Sequence, residues 1–269
     1  MGEMRGTKVE AREPTAEAVE GKVLPLAPRG RTLRRTMTDA LPWEDFVARL
    51  KDVGARKYHD KHPFHQRMNE GQLNPAQLRV WALNRFYYQR SIPLKDAALI
   101  SLMPDPADRR RWRQRLLDQD GTGPEDLGGI ERWLRLVEAC GATRDEAWSN
   151  EALLPGVRFA VDAYLNFVRT QNWVIGVASS LTELFSPALM TLRIAAFEEH
   201  YPWVAREGLT YFRGRPERAR ADSDHALEIV QRHATSAAVQ QRVVEALEFK
   251  CDLLWAQLDA IHWHCAKGS

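Results

Sequence analysis

Arg85 and Gln89 stand four residues apart in NRFYYQR, residues 84–90, with Tyr88 one turn from Arg85. On a helix the three side chains share a face. YFRGR repeats the arrangement with Tyr211 and Arg215, and Arg115 stands four residues before Gln119. Tyr164 lies in the apolar FAVDAYLNF, Glu183 in SSLTELF and Lys250 in EALEFKCDLLW. Polar groups on faces that should be apolar are either satisfied core groups or the wall of a polar cavity. Taken singly, Arg115, Arg215 and Lys250 fit surface cations. Glu183 does not, because a carboxylate in a buried helix costs on the order of several kcal/mol unless it is paired. It requires an Arg, Lys or Tyr beside it. A surplus of cations over that one carboxylate suits an anionic ligand.

Metal chemistry is the obvious alternative, and the spacings argue against it. DQDGTGPEDLGG, residues 118–129, imitates a calcium loop, with Asp118, Asp120 and Thr122 at positions 1, 3 and 5 and Gly123 at 6. The bidentate Glu required at position 12 is replaced by Gly129. Gly121 and Gly123 suit a helix C-terminus that needs positive φ. KYHDKHPFH spaces His59, His62 and His65 by three, but Pro63 stops them from sharing one helical face. Asp259, His262 and His264 form a loose set, and no Glu-x-x-His pair of a di-iron bundle occurs. No metal is expected. A Gly-rich phosphate loop and a Gly-x-Ser-x-Gly elbow are also missing.

These residues need elements to hold them. The chain has 269 residues, 44% apolar and 28% charged, an ordinary globular composition. No apolar run approaches the ~18 residues of a membrane span, and the N-terminus lacks a secretory signal core. A net charge of +2 gives no argument for nucleic acid. Cys140, Cys251 and Cys265 have no metal-type spacing and cannot all pair within the chain, which suits reduced thiols in a cytoplasm. Residues 1–37 mix Pro, Gly and charge without apolar periodicity and read as a disordered tail; 38–269 read as one helical catalytic domain. Asn74-Pro75, Pro106, Pro155 and Pro187 each mark a helix start, and Pro93 should kink its helix. WVIGVASSLTELF should be a central buried helix, and the last helix should run from about 236 to 265. With no strand-period run, the fold class is all-α, a single compact bundle of about seven helices.

KYHDKHPFHQRMNEGQL, NRFYYQRSIPLKDAAL, LPGVRFAVDAY, SSLTELFSP and HYPW…YFRGR together resemble the pyrroloquinoline quinone synthase family, in order, over roughly 42–264. The resemblance implies a haem-oxygenase-like, TenA-related bundle and a homodimer. It implies a cofactorless oxidase that closes the third ring of a tricarboxylic amino-acid quinone precursor. The precursor loses eight electrons to O2, and H2O2 is released. By position, the resemblance assigns His59, Tyr211, Arg215, Lys250 and Gln119 to catalysis. It assigns Tyr58, Arg85, Tyr88, Gln89, Arg115, Tyr164 and Glu183 to substrate binding. Arg and Lys would pair with substrate carboxylates, and His59 would accept a proton. Tyr211 with Arg215 would donate to reduced oxygen. The segment from Glu207 to Arg215 is a candidate lid.

One position departs from the family. Where it typically has Asp-His-Asp-Gly, this chain has Asp118-Gln119-Asp120-Gly121. Gln keeps a donor and an acceptor but does not titrate near neutral pH. Met190 stands where some members carry histidine and others an apolar residue. Three outcomes stay open at this point. His59, Tyr211 or a water could take over the proton transfer; the oxidation could stall or serve another substrate; or the pocket could bind a quinone without catalysis.

Overall fold

Prolines and capping side chains decide where most helices begin. The computed structural model describes residues 39–267, and the tail expected at 1–37 lies outside the described residues. The helices are α1 (Trp43–Lys57), α2 (Pro63–Asn69), α3 (Pro75–Leu102), α4 (Pro106–Asp120), α5 (Gly128–Ala139) and α6 (Arg144–Ser149). They continue with α7 (Pro155–Thr170), α8 (Trp173–Ala178), α9 (Ser186–His200), α10 (Thr210–Arg213), α11 (Arg215–His233) and α12 (Ala237–Lys267). Three 3-10 segments, His59–Lys61, Ser179–Leu184 and Arg206–Leu209, join them. Proline occupies the first or second position of α2, α3, α4, α7, α9 and α11, where its missing N–H costs nothing. The all-α expectation holds: among the described residues there is no strand. The short helices come in addition to the long ones that the sequence makes visible.

α3 is the spine of the site. Asn74 caps it, accepting from the Gln77 N–H, while the Gln77 side chain accepts from the Asn74 N–H. The helix runs through Pro93 without ending. Pro93 has no N–H to offer the Gln89 carbonyl one turn back. Residues 85, 88, 89, 92, 95 and 96 form one stripe of α3. α12 presents a matching stripe of Lys250, Leu254 and Gln257, all buried. α7 packs against both helices.

WVIGVASSLTELF differs from the continuous helix expected of it. It is buried, but α8 stops at Ala178 and a 3-10 segment follows. The Ser179 hydroxyl donates back to the Gly176 carbonyl at 2.6 Å, so the side chain competes for a group the α-helix would use. Tighter winding after Ser179 leaves Glu183 between α11 and α12.

The 118–129 stretch is a closed bend. α4 ends at Asp120, and Gly121 and Gly128 take φ of +88° and +75°. A Cβ on Gly128 would collide with the backbone carbonyl of Gln119, and one on Gly129 with the Gln119 side-chain oxygen. The glycines therefore let α5 close directly over Gln119. The consequence is testable by denaturant unfolding. Gly128→Ala should lose at least ~1–2 kcal/mol, because its obstacle is backbone and its φ is left-handed. Gly129→Ala should lose less, because the Gln119 carboxamide can move aside. Equal losses would contradict this account of the bend.

Candidate active site

All twelve residues singled out from the sequence line two adjoining cavities between α3, α4, α7, the 179–184 segment and α9–α12. The inner cavity, with about 370 Å³ of space, is bounded by Tyr88, Arg115, Gln119, Tyr164, Lys250 and neighbours. The outer one, with about 540 Å³, is bounded by Tyr58, His59, Arg85, Gln89, Tyr211 and Met190 among others. Tyr88, Glu183 and Arg215 belong to both walls.

Glu183 has the partner its burial demands: Arg215 Nη2 lies 2.7 Å from its Oε1. Arg215 also lies 3.5 Å from Asp222 Oδ2, and Arg115 Nε lies 3.3 Å from Asp222 Oδ1. The Arg115 guanidinium stacks 4.0 Å above the Trp112 ring. The chain Glu183–Arg215–Asp222–Arg115 thus ties the 179–184 segment, α11 and α4 together. Burial pushes the Glu183 carboxyl upward, but Arg215, Arg115 and Lys95 outweigh burial and leave it below the ordinary value. Burial also lowers Arg215, and there Glu183, Tyr211 and Asp222 win and raise it.

His59 sits at the start of the first 3-10 turn, buried between the Tyr58 ring at 4.4 Å and the His65 ring at 4.9 Å. Burial, then Arg85, Arg193 and Lys250, hold its pKa well below the usual value. It is a neutral imidazole at physiological pH, able to accept a proton. Tyr58 and Tyr88 are held as neutral phenols by burial. Gln119 is 2% exposed, and its Oε1 accepts from the Gln89 carboxamide at 3.2 Å. The same Gln89 nitrogen donates to the Tyr211 hydroxyl.

Lys250 is enclosed by phenol groups. It is 1% exposed, its Nζ is 2.6 Å from the Tyr88 hydroxyl and 3.4 Å from the centre of the Tyr164 ring. Burial, Lys95 and Arg85 depress its pKa well below the ordinary lysine value. Arg85 has a neutral partner, Gln257 Oε1 at 3.0 Å, and lies over the Tyr88 ring at 3.9 Å.

Four further residues belong to this wall and escaped the sequence reading. Arg193, on α9, is 3% exposed, lines the outer cavity, and its Nε and Nη2 have no hydrogen-bond partner among the described residues. Burial and Arg85 push its pKa down to about 9, which still leaves it a cation at neutral pH. Its signal was a lone Arg inside LMTLRIAAF, the same kind of signal that exposed Glu183. Lys95 and Asp96 lie on the α3 stripe, and Asp222 hides in a polar run of α11. The walls therefore carry Arg85, Lys95, Arg115, Arg193 and Arg215 against Asp96, Glu183 and Asp222, with the depressed Lys250 beside them.

Outside the cavities, Asp259, His262 and His264 do not assemble into a ligand set. Among the described residues no three of His, Cys, Asp and Glu gather as a metal-binding group. His62 Nδ1 instead accepts from the Phe64 N–H to start α2, and its Nε2 reaches Asp259 at 3.1 Å. The candidate lid, Glu207–Arg215, packs on α5, with Gly208 against Ala139.

The depressed Glu183 carboxyl makes a stability prediction. Its pKa is lower folded than unfolded, so its contribution is full above the ordinary carboxylate value and is lost as pH falls through the depressed one. The thermal midpoint of the wild type should exceed that of Glu183→Gln by a constant margin from pH 8 to about 6. The margin should shrink below about pH 4. A margin that stays constant into acid would contradict the ion pair.

Residues 47–260 match the model of the TENA/THI-4/PQQC family. A Xanthomonas campestris pv. campestris (strain 8004) protein named pyrroloquinoline-quinone synthase is 54% identical over 226 residues, covering 84% of this chain and 90% of that protein. A Methylorubrum extorquens protein named bifunctional coenzyme PQQ synthesis protein C/D is 48% identical over 223 residues, covering 83% of this chain and 60% of that protein. Among solved structures, a TenA homolog from Pseudomonas syringae pv. tomato DC3000 matches with a TM-score of 0.65 at 14% identity, covering 84% of this chain and 94% of the other. A domain with a heme oxygenase-like fold from Shewanella denitrificans OS217 matches with a TM-score of 0.64 at 13% identity, covering 82% and 90%. These two likenesses identify the fold as haem-oxygenase-like. By the extent of the family match and the identity to its curated relatives, the chain belongs to the TENA/THI-4/PQQC family.

Proposed function

We propose that the protein is a pyrroloquinoline-quinone synthase. It closes the ring-open tricarboxylic amino-acid quinone precursor and oxidises it by eight electrons, with O2 as acceptor and H2O2 as a product. The observation that carries this reading is the surplus of buried cations on the cavity walls, in a chain 54% identical to a protein of that name. A tricarboxylate supplies the anions that Arg193 and Arg85 lack inside the protein. Arginine forks match carboxylates bidentately, so they fix the substrate's plane as well as its charge. The buried phenols Tyr58 and Tyr88 add neutral ring surface to the wall around a fused-ring quinone. On this reading the quinone supplies the redox centre, and the protein positions it and moves protons.

His59 takes a proton, as its neutral state permits. Tyr211, with its oxygen fixed by Gln89, donates its hydroxyl proton toward reduced oxygen, and Arg215 steadies the developing negative charge. Gln119 extends the Gln89–Tyr211 chain by a hydrogen bond but carries no titratable proton. The proton transfer that a family histidine would supply there passes to His59 or to a solvent molecule. Other parts of the reading are a cytoplasmic homodimer and a catalytic domain starting near residue 38. The buried thiols Cys140 and Cys251 suit a reducing compartment: burial pushes both up to about 12, which keeps them inert. Exposed Phe159 and Trp263, on α7 and α12, suit a subunit contact.

Mixing metal-stripped protein with the precursor under air, and following the quinone spectrum, oxygen uptake and peroxide together, tests the reading. Full conversion with peroxide release is the expected result. A spectrum that shifts on binding and then stops would mark a stalled pocket, and Gln119→His should then restore turnover by ~10²-fold or more. No spectral change would remove this substrate.

A further inference from the structure

Two lysines face the inner cavity, and they are held differently. Lys95 Nζ lies 2.5 Å from Asp96 Oδ1 and 3.3 Å from Ser180 Oγ. The same Asp96 oxygen accepts from the Trp112 indole at 2.8 Å, which fixes the carboxylate against α4. Among the described residues Lys250 has no carboxylate partner. Its contacts are the Tyr88 hydroxyl at 2.6 Å and the Tyr164 and Tyr88 rings at 3.4 and 4.3 Å.

The groups around Lys250 can be named element by element. α3 brings Arg85, Tyr88 and Lys95; α7 brings Tyr164; the 179–184 segment brings Glu183. The 59–61 turn brings His59, α2 buries His65, and Cys251 follows on α12 itself. α1 and α8 bury no titratable group. Glu183, the nearest carboxylate in this set, is already engaged by Arg215. Two ammonium groups in one low-dielectric cavity repel each other strongly, and the one without a carboxylate loses its proton more readily. Phenol faces attract a cation, but a second ammonium and a guanidinium in the same closed space oppose it.

We propose that Lys95, clamped by Asp96 and Ser180, is a positioning residue that keeps Lys250 as the unprotonated amine, so that Lys250 accepts a proton from the substrate instead of anchoring a carboxylate. The depressed pKa of Lys250, in which Lys95 is the largest cause after burial, agrees with this geometry. The step is a proton transfer. An N–H or C–H bond of the bound precursor breaks, the proton bonds to the Nζ lone pair, and the electron pair stays on the precursor for oxygen to accept. The substrate in this statement rests on the synthase reading; the protonation state of Lys250 does not.

The test uses full-length protein labelled with ¹³C and ¹⁵N in its eight lysines, the Lys250 side-chain signal being assigned by its loss in Lys250→Arg. At pH 8 the wild type should show Lys250 as an amine. In Lys95→Gln, which keeps a donor for Asp96, the Lys250 midpoint should rise by one pH unit or more. The double variant Lys95→Met/Asp96→Asn, which strands no charge, should do the same and serves if the single variant does not fold. Lys95→Arg, which keeps the charge, should leave Lys250 an amine. An ammonium at Lys250 in the wild type at pH 8, or an unmoved midpoint in a folded charge-free variant, would overturn the proposal. With the precursor, the acid limb of kcat should move to higher pH in Lys95→Gln while KM changes little. A wild type that never turns over would sink the synthase reading and leave the Lys250 titration standing on its own.

Discussion

Charge cannot be buried without a partner, and this bundle buries a great deal of it. Glu183, Arg215, Asp222 and Arg115 answer one another across three elements, and Lys95 answers Asp96 beside them. Breaking any one pair would strand a charge in a closed space, so the cations and carboxylates hold α3, α4, α11 and the 179–184 segment in register. The balance is incomplete: among the described residues Arg193 and Arg85 have no carboxylate partner, and both line the outer cavity. A ligand carrying several carboxylates completes it. On the synthase reading the site is thus held in shape by paired charges and made selective by unpaired ones.

The same surplus tunes the bases. His59 and Lys250 are both depressed by burial and by the cations around them, which favours their unprotonated forms. Gln119 takes a place in this network by hydrogen bonding alone. Its bond to Gln89, and Gln89's bond to Tyr211, preserve the geometry through which the chain can orient a donor, while removing one titrating group. The glycines of the 118–129 bend serve this placement, since a side chain at 128 or 129 would displace Gln119. What resembled a calcium loop is the hinge of a polar wall.

Much of this was legible in the sequence. Prolines and Asn74 announced the helix starts, and apolar periodicity gave the bundle. Polar residues inside apolar words gave the site: Glu183, Tyr164 and Lys250 stand out because their neighbours are core residues. Arg193 carried the same signal and was passed over. Lys95 and Asp96 carry it too, between the apolar stretches 92–94 and 97–100, whereas Asp222 sits in the polar run RADSDH and only the fold shows it to be inward. The break after Ala178 was hidden for a different reason. Hydrophobicity reports burial, whereas Ser179's bond to the Gly176 carbonyl decides winding. The protonation of Lys250 needed three dimensions, since its largest neighbour in charge, Lys95, is distant in sequence.

The account stands on the unpaired cations being the site's grip on its ligand. Titration calorimetry of the tricarboxylate pyrroloquinoline quinone against its trimethyl ester, at low and moderate salt, measures that grip directly. The free acid should bind at least a hundredfold more tightly, since ion-paired hydrogen bonds to guanidinium groups are worth about 1.5–3 kcal/mol each. Equal affinity for acid and ester would contradict the account.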